Sequence, residues 1–183
     1  MNETREKLRE LVRKHVRRKS DTPIRLTSGS ETYEYFDGKQ VTLFPDRMAL
    51  FARLVLENVD LKKIQAIGGM STGADPIAAA VSLIAFLEKK INIPAFFVRK
   101  EPKKHGLQKR IEGAELKKGM RVLIVEDVIT KGSSTLDAIQ AVEACGAIVE
   151  KVICLIDREE GGSQLIASKY PFEAIFKKSD LTS

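Results

Sequence analysis

The chain has no tryptophan, 2 cysteines and 2 histidines, and aromatic residues fill only 6% of its 183 positions. Each scarcity closes off a class of function. Cys145 and Cys154 fall at the end of an expected helix and in the next strand, with no companions at metal-ligand spacing. They read as reduced core residues of a cytoplasmic protein, not as a disulfide framework or a zinc site. Few aromatics argue against a stacking platform for single-stranded nucleic acid. No apolar run approaches the roughly 20 residues of a membrane helix. The opening MNETREKLRE is charged and lacks the apolar core of a signal segment. What is present is 43% hydrophobic residues, enough for one domain over 1–183 with a sizeable core. The net charge of +6 suits either a nucleic acid or a polyanionic small substrate.

The chain is organised around RVLIVEDVITKGSST, Arg121–Thr135. Val122–Val125 is an apolar, mostly β-branched run suited to a central parallel strand. It stops at the adjacent carboxylates Glu126 and Asp127. A polar loop follows, Thr130-Lys131-Gly132-Ser133-Ser134, and then a helix with Leu136, Ile139, Ala141 and Val142 as its apolar positions. Backbone N–H groups at such a helix start cradle phosphate, Gly132 allows close approach, and the hydroxyls add donors. The carboxylates would repel a phosphate, so they suit a pair of sugar hydroxyls beside it. The motif therefore reads as a ribose-phosphate site at the carboxyl end of a parallel strand. An ordinary strand–loop–helix unit with solvated acids is the alternative.

The remaining segments are consistent with an alternating α/β chain. Thr4–Arg18 has helical periodicity through Leu8, Leu11, Val12, His15 and Val16, with a basic remainder that is either a solvated face or a nucleic-acid surface. Ile24–Leu43 alternates around Tyr33, Tyr35, Val41 and Leu43, with Asp37-Gly38 as the expected hairpin turn and Ser28-Gly29-Ser30 as an earlier one. This aromatic hairpin is either a core flap or a cover for a planar base, with Tyr35 and Phe36 offering rings. Pro45 opens a helix to about Glu57. A strand at Ile64–Ile67 ends in the glycine-rich loop from Gly68 to Ala74, a second potential anion cradle, and Asp75-Pro76 starts the next helix. After strand Ala95–Arg99, the segment Arg99–Arg110 holds six Lys/Arg. It is expected to be a mobile surface loop, either a solvated linker or a cationic lid over a leaving anion. A strand from Val149 to Ile156 ends at Asp157-Arg158, where Arg158 can meet a ligand carboxylate or form a surface ion pair. A helix, Ser163–Lys169, and a strand, Phe172–Phe176, complete the sheet.

The central motif resembles the phosphoribosyl-pyrophosphate motif of the type I phosphoribosyltransferases. Four more stretches are similar to the orotate-using members of that family. SGSETYEYFDGKQ looks like their N-terminal hood, GGMSTGADPIAAA their pyrophosphate loop, RKEPKKHG their catalytic loop, and DREEGG the segment whose arginine holds the orotate carboxylate. The resemblance implies a central, mostly parallel sheet flanked by helices with a small hood formed mainly by 20–45. It implies transfer of phosphoribose from 5-phosphoribosyl 1-pyrophosphate to orotate. Carried over, Glu126 and Asp127 hold the ribose hydroxyls. The backbone of the run Val128, Ile129, Thr130, Lys131, Gly132, Ser133, Ser134 binds the 5′-phosphate. Arg99, Lys100, Lys103 and His105 bind pyrophosphate, with Lys103 the catalytic lysine. Arg158 and Thr130 contact orotate, and Tyr35 and Phe36 flank its ring. Mg²⁺ is the implied cofactor, without a dedicated protein cage. A homodimer whose loops reach into each other's sites is also implied, with no nucleic-acid or membrane partner. Thr27 and Thr72 stand where lysines are often found, and Ser30 where a basic residue is common. These departures bear on base preference and efficiency, not on fold. Lys39 is a possible spatial substitute whose position the sequence does not give. A purine-using enzyme of the same fold, and a non-catalytic regulator that senses phosphoribosyl pyrophosphate and binds nucleic acid, are the rivals.

Overall fold

A computed structural model describes residues 3–25, 31–101 and 110–182. The first helix, α1 (Glu3–His15), carries Glu3 and Glu6 in its first turn and Arg13, Lys14 and His15 in its last, a charge order that complements the helix dipole. It ends short of the expected Arg18 because Arg17 already begins strand β1 (Arg17–Arg25), which pairs antiparallel with β2 (Glu31–Phe36). Arg17 and Glu34 close this ladder with an ion pair. The register shifts between Lys19 and Ile24, the stretch that contains Pro23, which has no N–H to offer a ladder.

The hairpin therefore forms with the chain before Tyr33, not after it. Asp37-Gly38 is not a hairpin turn but the start of a short helix, α2 (Lys39–Thr42). The Asp37 carboxylate accepts the Lys39 N–H at 3.3 Å, and the Val41 and Thr42 N–H groups reach the Gly38 carbonyl at 2.9 and 3.0 Å. An Asp-Gly pair serves a helix start as readily as a turn. The earlier turn expected at Ser28-Gly29-Ser30, and Thr27, lie outside the described residues. Helix α3 (Pro45–Glu57) follows with Met48, Phe51, Ala52 and Val55 buried as expected.

Six strands then form one sheet: β3 (Ala66–Met70), β4 (Ala95–Val98), β5 (Ile111–Gly113), β6 (Arg121–Ile129), β7 (Ile148–Asp157) and β8 (Phe172–Lys177). Their order is β5-β4-β3-β6-β7-β8, all parallel except the β4–β5 pair. Between them run α4 (Ala74–Ile84) with a π-helical end (Ala85–Lys89), α5 (Ser133–Ala144), α6 (Gly162–Ala167) and α7 (Lys178–Thr182). Both faces are covered. Leu123 and Val125 of β6 join the core beneath α1, α3 and α4, while Val122 and Ile124 join the core beneath α5. That period-two split explains why β6 reads as an unbroken apolar run.

Several boundaries move for identifiable reasons. β3 runs on through Gly68 and Gly69, whose missing side chains admit close neighbours: a Cβ at Gly69 would lie 2.7 Å from the Ala74 Cβ. β6 runs through the acid pair to Ile129 because β7 pairs with it as far as Asp157. The short edge strand β5 and the terminal α7 carry too little periodicity to be anticipated. Cys154 is buried as expected, but Cys145 is exposed, since it caps the solvent end of α5.

Candidate active site

The carboxyl ends of β3, β4, β6 and β7 open onto a cleft of about 320 Å³. Glu126 and Asp127 form its floor. Glu126 is 6% exposed, accepts the Thr135 hydroxyl at 3.3 Å and lies 3.2 Å from the Asp127 N–H that it accepts. Burial, followed by the adjacent Asp127 charge, pushes the Glu126 carboxyl well above the usual range. Asp127 is less buried, and its Oδ1 accepts the Val128 N–H at 2.7 Å. Two glycines press on this pair from opposite walls. A Cβ at Gly38 would lie 2.9 Å from Asp127 Oδ2, and one at Gly73 would lie 2.6 Å from Glu126 Oε1 and 3.0 Å from Asp127 Oδ1.

The loop after β6 forms one end of the cleft through Val128, Ile129, Thr130, Gly132, Ser133 and Ser134. Gly132 adopts φ +75°, a left-handed conformation suited to glycine, and starts α5. The free N–H groups of that helix start face the space where an anion would sit. The neighbouring β7–α6 turn supports the loop from behind. Gly162 donates its N–H to the Thr130 carbonyl at 3.0 Å, and Arg158 donates its N–H to Ile129 at 2.9 Å. A Cβ on Gly162 would come within 2.5 Å of the Gly132 nitrogen. Lys131 is exposed and, unlike its neighbours, does not line the cleft.

The other end is made by the hood and the β7–α6 turn. Tyr35 and Phe36 line it together with Arg158. Arg158 does form the ion pair considered as its alternative, but not at the surface. Its side chain is 5% exposed, pairs with Glu160 at 2.7 Å, stands 5.9 Å from the Phe36 ring centre and leaves its Nε without a partner. A guanidinium on a cleft wall carries donors in the fork geometry that suits a carboxylate. The turn that holds it is tied down on both sides. Asp157 accepts the Glu159 N–H at 2.8 Å, and the Glu159 carboxylate accepts the Ser179 N–H at 2.8 Å.

The third wall is the loop after β3, Ser71-Thr72-Gly73, which contains a cis Ser71–Thr72 peptide. Ser71 donates its hydroxyl to Asp75 at 2.6 Å and its N–H to Val98 at 2.8 Å. Lys100 lines the cleft on this side. Arg99 does not; it lies in an adjoining hollow with Phe97 and Glu101 and pairs with Glu112 at 3.0 Å. The base of the basic segment is clamped. Arg99 donates its N–H to Arg110, Arg110 Nε returns a bond to the Arg99 carbonyl, and Arg110 grips Asp137 of α5 at 2.7 and 3.1 Å. Lys103 and His105 lie outside the described residues.

Asp37, Gly38 and Thr135 also line the cleft without having been singled out from sequence, and Lys39, whose position the sequence does not give, lines it with them, as does Met70 of the glycine-rich loop. They reach the cleft from the hood and from β3 and α5, and no local signal marks the first three as lining residues. Among the described residues, no group of three or more His, Cys, Asp or Glu side chains is arranged to hold a metal ion. The donors at the cleft floor, one buried acid and one more open one, fit a hard cation that keeps water and ligand oxygens rather than a protein cage. Among the described residues no helix is long and apolar enough to cross a membrane.

Comparison with known proteins agrees with this geometry. Residues 39–176 match the phosphoribosyl transferase domain family. The orotate phosphoribosyltransferase of Leptospira biflexa is 42% identical over 180 residues, covering 96% of each chain. The Mycobacterium tuberculosis orotate phosphoribosyltransferase solved with Fe(III) dicitrate superposes with a TM-score of 0.82 at 36% identity, covering 98% of this chain and 99% of that one. Another structure of it, in complex with 5-phospho-α-D-ribosyl 1-diphosphate, gives a TM-score of 0.76 at 34% identity, covering 98% and 99%. On the shared sheet and cleft, and on identity carried across nearly the whole length, the chain belongs to the orotate phosphoribosyltransferases of the phosphoribosyl transferase domain family.

Proposed function

We propose that this cleft joins N1 of orotate to C1′ of 5-phosphoribosyl 1-pyrophosphate, releasing pyrophosphate and orotidine 5′-monophosphate on the route to UMP. The observation that carries the choice of base is Arg158, a largely buried guanidinium that lines the cleft beside the hood rings. Orotate brings a carboxylate to meet it, whereas adenine, hypoxanthine and guanine do not.

The roles follow from the chemistry of each wall. The Gly132–Ser134 helix start holds the 5′-phosphate. Glu126 and Asp127 accept hydrogen bonds from the ribose hydroxyls and place a negative field beneath C1′, where positive charge develops as the glycosidic bond breaks ahead of attack. Deprotonated orotate is nucleophilic enough to need no protein base. The Ser71–Gly73 loop and Lys100 receive the departing pyrophosphate, and Lys103 from the basic segment neutralises it. Tyr35 and Phe36 cover the ring and exclude water. Mg²⁺, bound through substrate oxygens near Glu126 and Asp127, would supply further neutralisation of the pyrophosphate.

A homodimer with shared sites is in keeping with Leu83, Phe86 and Leu87, more than half exposed at the end of α4, an apolar surface suited to a second copy. Mixing Lys103→Ala chains with Asp127→Asn chains is expected to regain activity in the mixed dimer, and no regain would argue for a segment that acts in its own subunit. The reaction belongs in the cytoplasm, where Cys145 and Cys154 stay as free thiols. The regulator reading draws little support from α1. Arg5 donates to the Ile175 carbonyl, Arg13 to that of Asp180, and Arg9 pairs with Glu6, so three of the five Lys and Arg side chains of this helix are engaged within the chain.

Orotate consumption with phosphoribosyl pyrophosphate and Mg²⁺, run beside uracil, adenine, hypoxanthine and guanine, tests the proposal. Turnover with orotate alone is expected. Turnover with a purine would overturn the roles of Arg158 and the hood.

A further inference from the structure

The cleft that must hold a diphosphate has an uneven supply of cations. The Ser71–Gly73 loop contributes none, and its tip, Thr72, is exposed. Asp37, Glu126 and Asp127 add carboxylates to the same lining. Among the described lining residues, positive charge comes from Arg158 at the base end and from Lys39 and Lys100.

Lys39 occupies a position built to present a charge. Its backbone is fixed on every side. Asp37 caps it at 3.3 Å, and Asp37 itself donates its N–H to Val16 at 3.0 Å. The guanidinium of Arg47, on α3, grips the Gln40 carbonyl at 2.6 Å, and Val41 is fully buried. Only the Lys39 side chain is exposed, and no ion pair engages its ammonium among the described residues. Its neighbour Gly38 touches Asp127 from one wall, as Gly73, the neighbour of Thr72, touches it from the other. Lys39 and Thr72 are thus each one residue from the two contacts that bracket the acid pair.

We infer that Lys39 is a diphosphate-binding residue supplied by the hood, providing across the cleft the charge that the Ser71–Gly73 loop lacks. The assignment rests on the phosphoribosyl pyrophosphate reading of the cleft. It predicts that the hood has a second task besides covering the base: it adds a cation beside the leaving group as it packs over the site.

The test is calorimetry of the full chain with Mg²⁺ and three probes: inorganic pyrophosphate, phosphoribosyl pyrophosphate, and ribose 5-phosphate, which lacks the diphosphate. Lys39→Met is expected to weaken the first two about tenfold, the usual worth of one charge-assisted hydrogen bond, and to leave ribose 5-phosphate unchanged. Lys39→Arg is expected to restore binding where Lys39→Gln does not, with the thermal midpoint constant, a pattern that a merely structural role would not give. Adding Thr72→Lys to Lys39→Met is expected to recover affinity from the opposite wall. Unchanged pyrophosphate binding in Lys39→Met, or equal weakening of all three probes, would overturn the assignment and leave the orotate reaction standing. Wild-type protein that binds pyrophosphate through Lys39 but turns over no orotate would sink the reaction and leave the assignment standing.

Discussion

The loop after β6 and the loop after β3 both carry the chain from a parallel strand into a helix at one cleft, yet they are fastened differently. The first is held by backbone: Gly162 N–H on Thr130, Arg158 N–H on Ile129, and a left-handed Gly132 that no side chain disturbs. The second has one backbone tie, the Ser71 N–H on Val98, and adds a side-chain one, the Ser71 hydroxyl on Asp75, whose other carboxylate oxygen is buried without a partner. On the proposed reaction the difference has a purpose. The 5′-phosphate stays put through the whole reaction, and a rigid backbone cradle suits it. The diphosphate arrives as part of one molecule and leaves as another, so a loop held partly through a side chain suits it better.

The contrast can be broken at its stiff end first. Gly162→Ala drives a Cβ into the backbone behind the phosphate loop, and two fixed main chains cannot both yield. We expect kcat/KM for phosphoribosyl pyrophosphate to fall on the order of 100-fold, with weakened ribose 5-phosphate binding; wild-type kinetics would show that the loop does not depend on this support. At the adjustable end, Asp75→Ala frees the Ser71 hydroxyl. A loss of about tenfold in pyrophosphate affinity is expected, while ribose 5-phosphate binds as before; a parallel loss of both ligands would erase the distinction between the loops. The smallest effect lies on the floor between them. Because burial raises the Glu126 carboxyl, the folded chain holds that proton more tightly than the unfolded chain, and stability is lost as pH rises through the raised value. Glu126→Gln removes this loss. Thermal melts should show it gaining about 2–4 °C for each kcal/mol relieved at neutral pH, with the gain vanishing as pH falls to the ordinary carboxylate range, even as turnover drops. A variant no more stable than wild type at neutral pH would mean that Glu126 is already well solvated or paired.

The parts of the site that were legible in sequence are those whose chemistry is contiguous. Glu126, Asp127 and the Thr130–Ser134 loop lie within nine residues, so their composition alone suggested a sugar phosphate. Arg158 was legible by position, at a strand's carboxyl end, though its burial was not. Gly162 was hidden because it acts on a loop some thirty residues earlier. Asp37-Gly38 was misread because the same pair opens a helix or turns a hairpin, and the tertiary ties to Val16 and Arg47 decide between them. Gly68 and Gly69 resembled loop residues, but they sit in β3 because Phe96 and Ala74 need the space. Arg99 and Lys131 were placed by analogy of segment; within this chain the Arg99 side chain pairs with Glu112 and that of Lys131 faces solvent.

The short helix α7 takes no part in the chemistry, yet three of its residues touch three separate parts of the molecule. Lys178 meets Glu34 of the hood at 3.4 Å, Ser179 holds Glu159 beside Arg158, and the Asp180 carbonyl receives Arg13 of α1. On the proposed reaction it works as a spacer bar between the cover of the base and the cation beneath it. Shortening that bar would leave the phosphate end of the cleft untouched while changing how far apart cover and cation stand. Replacing Lys178 and Ser179, which leaves the buried Leu181 in the core, would therefore be felt as altered discrimination among bases before it was felt as lost folding.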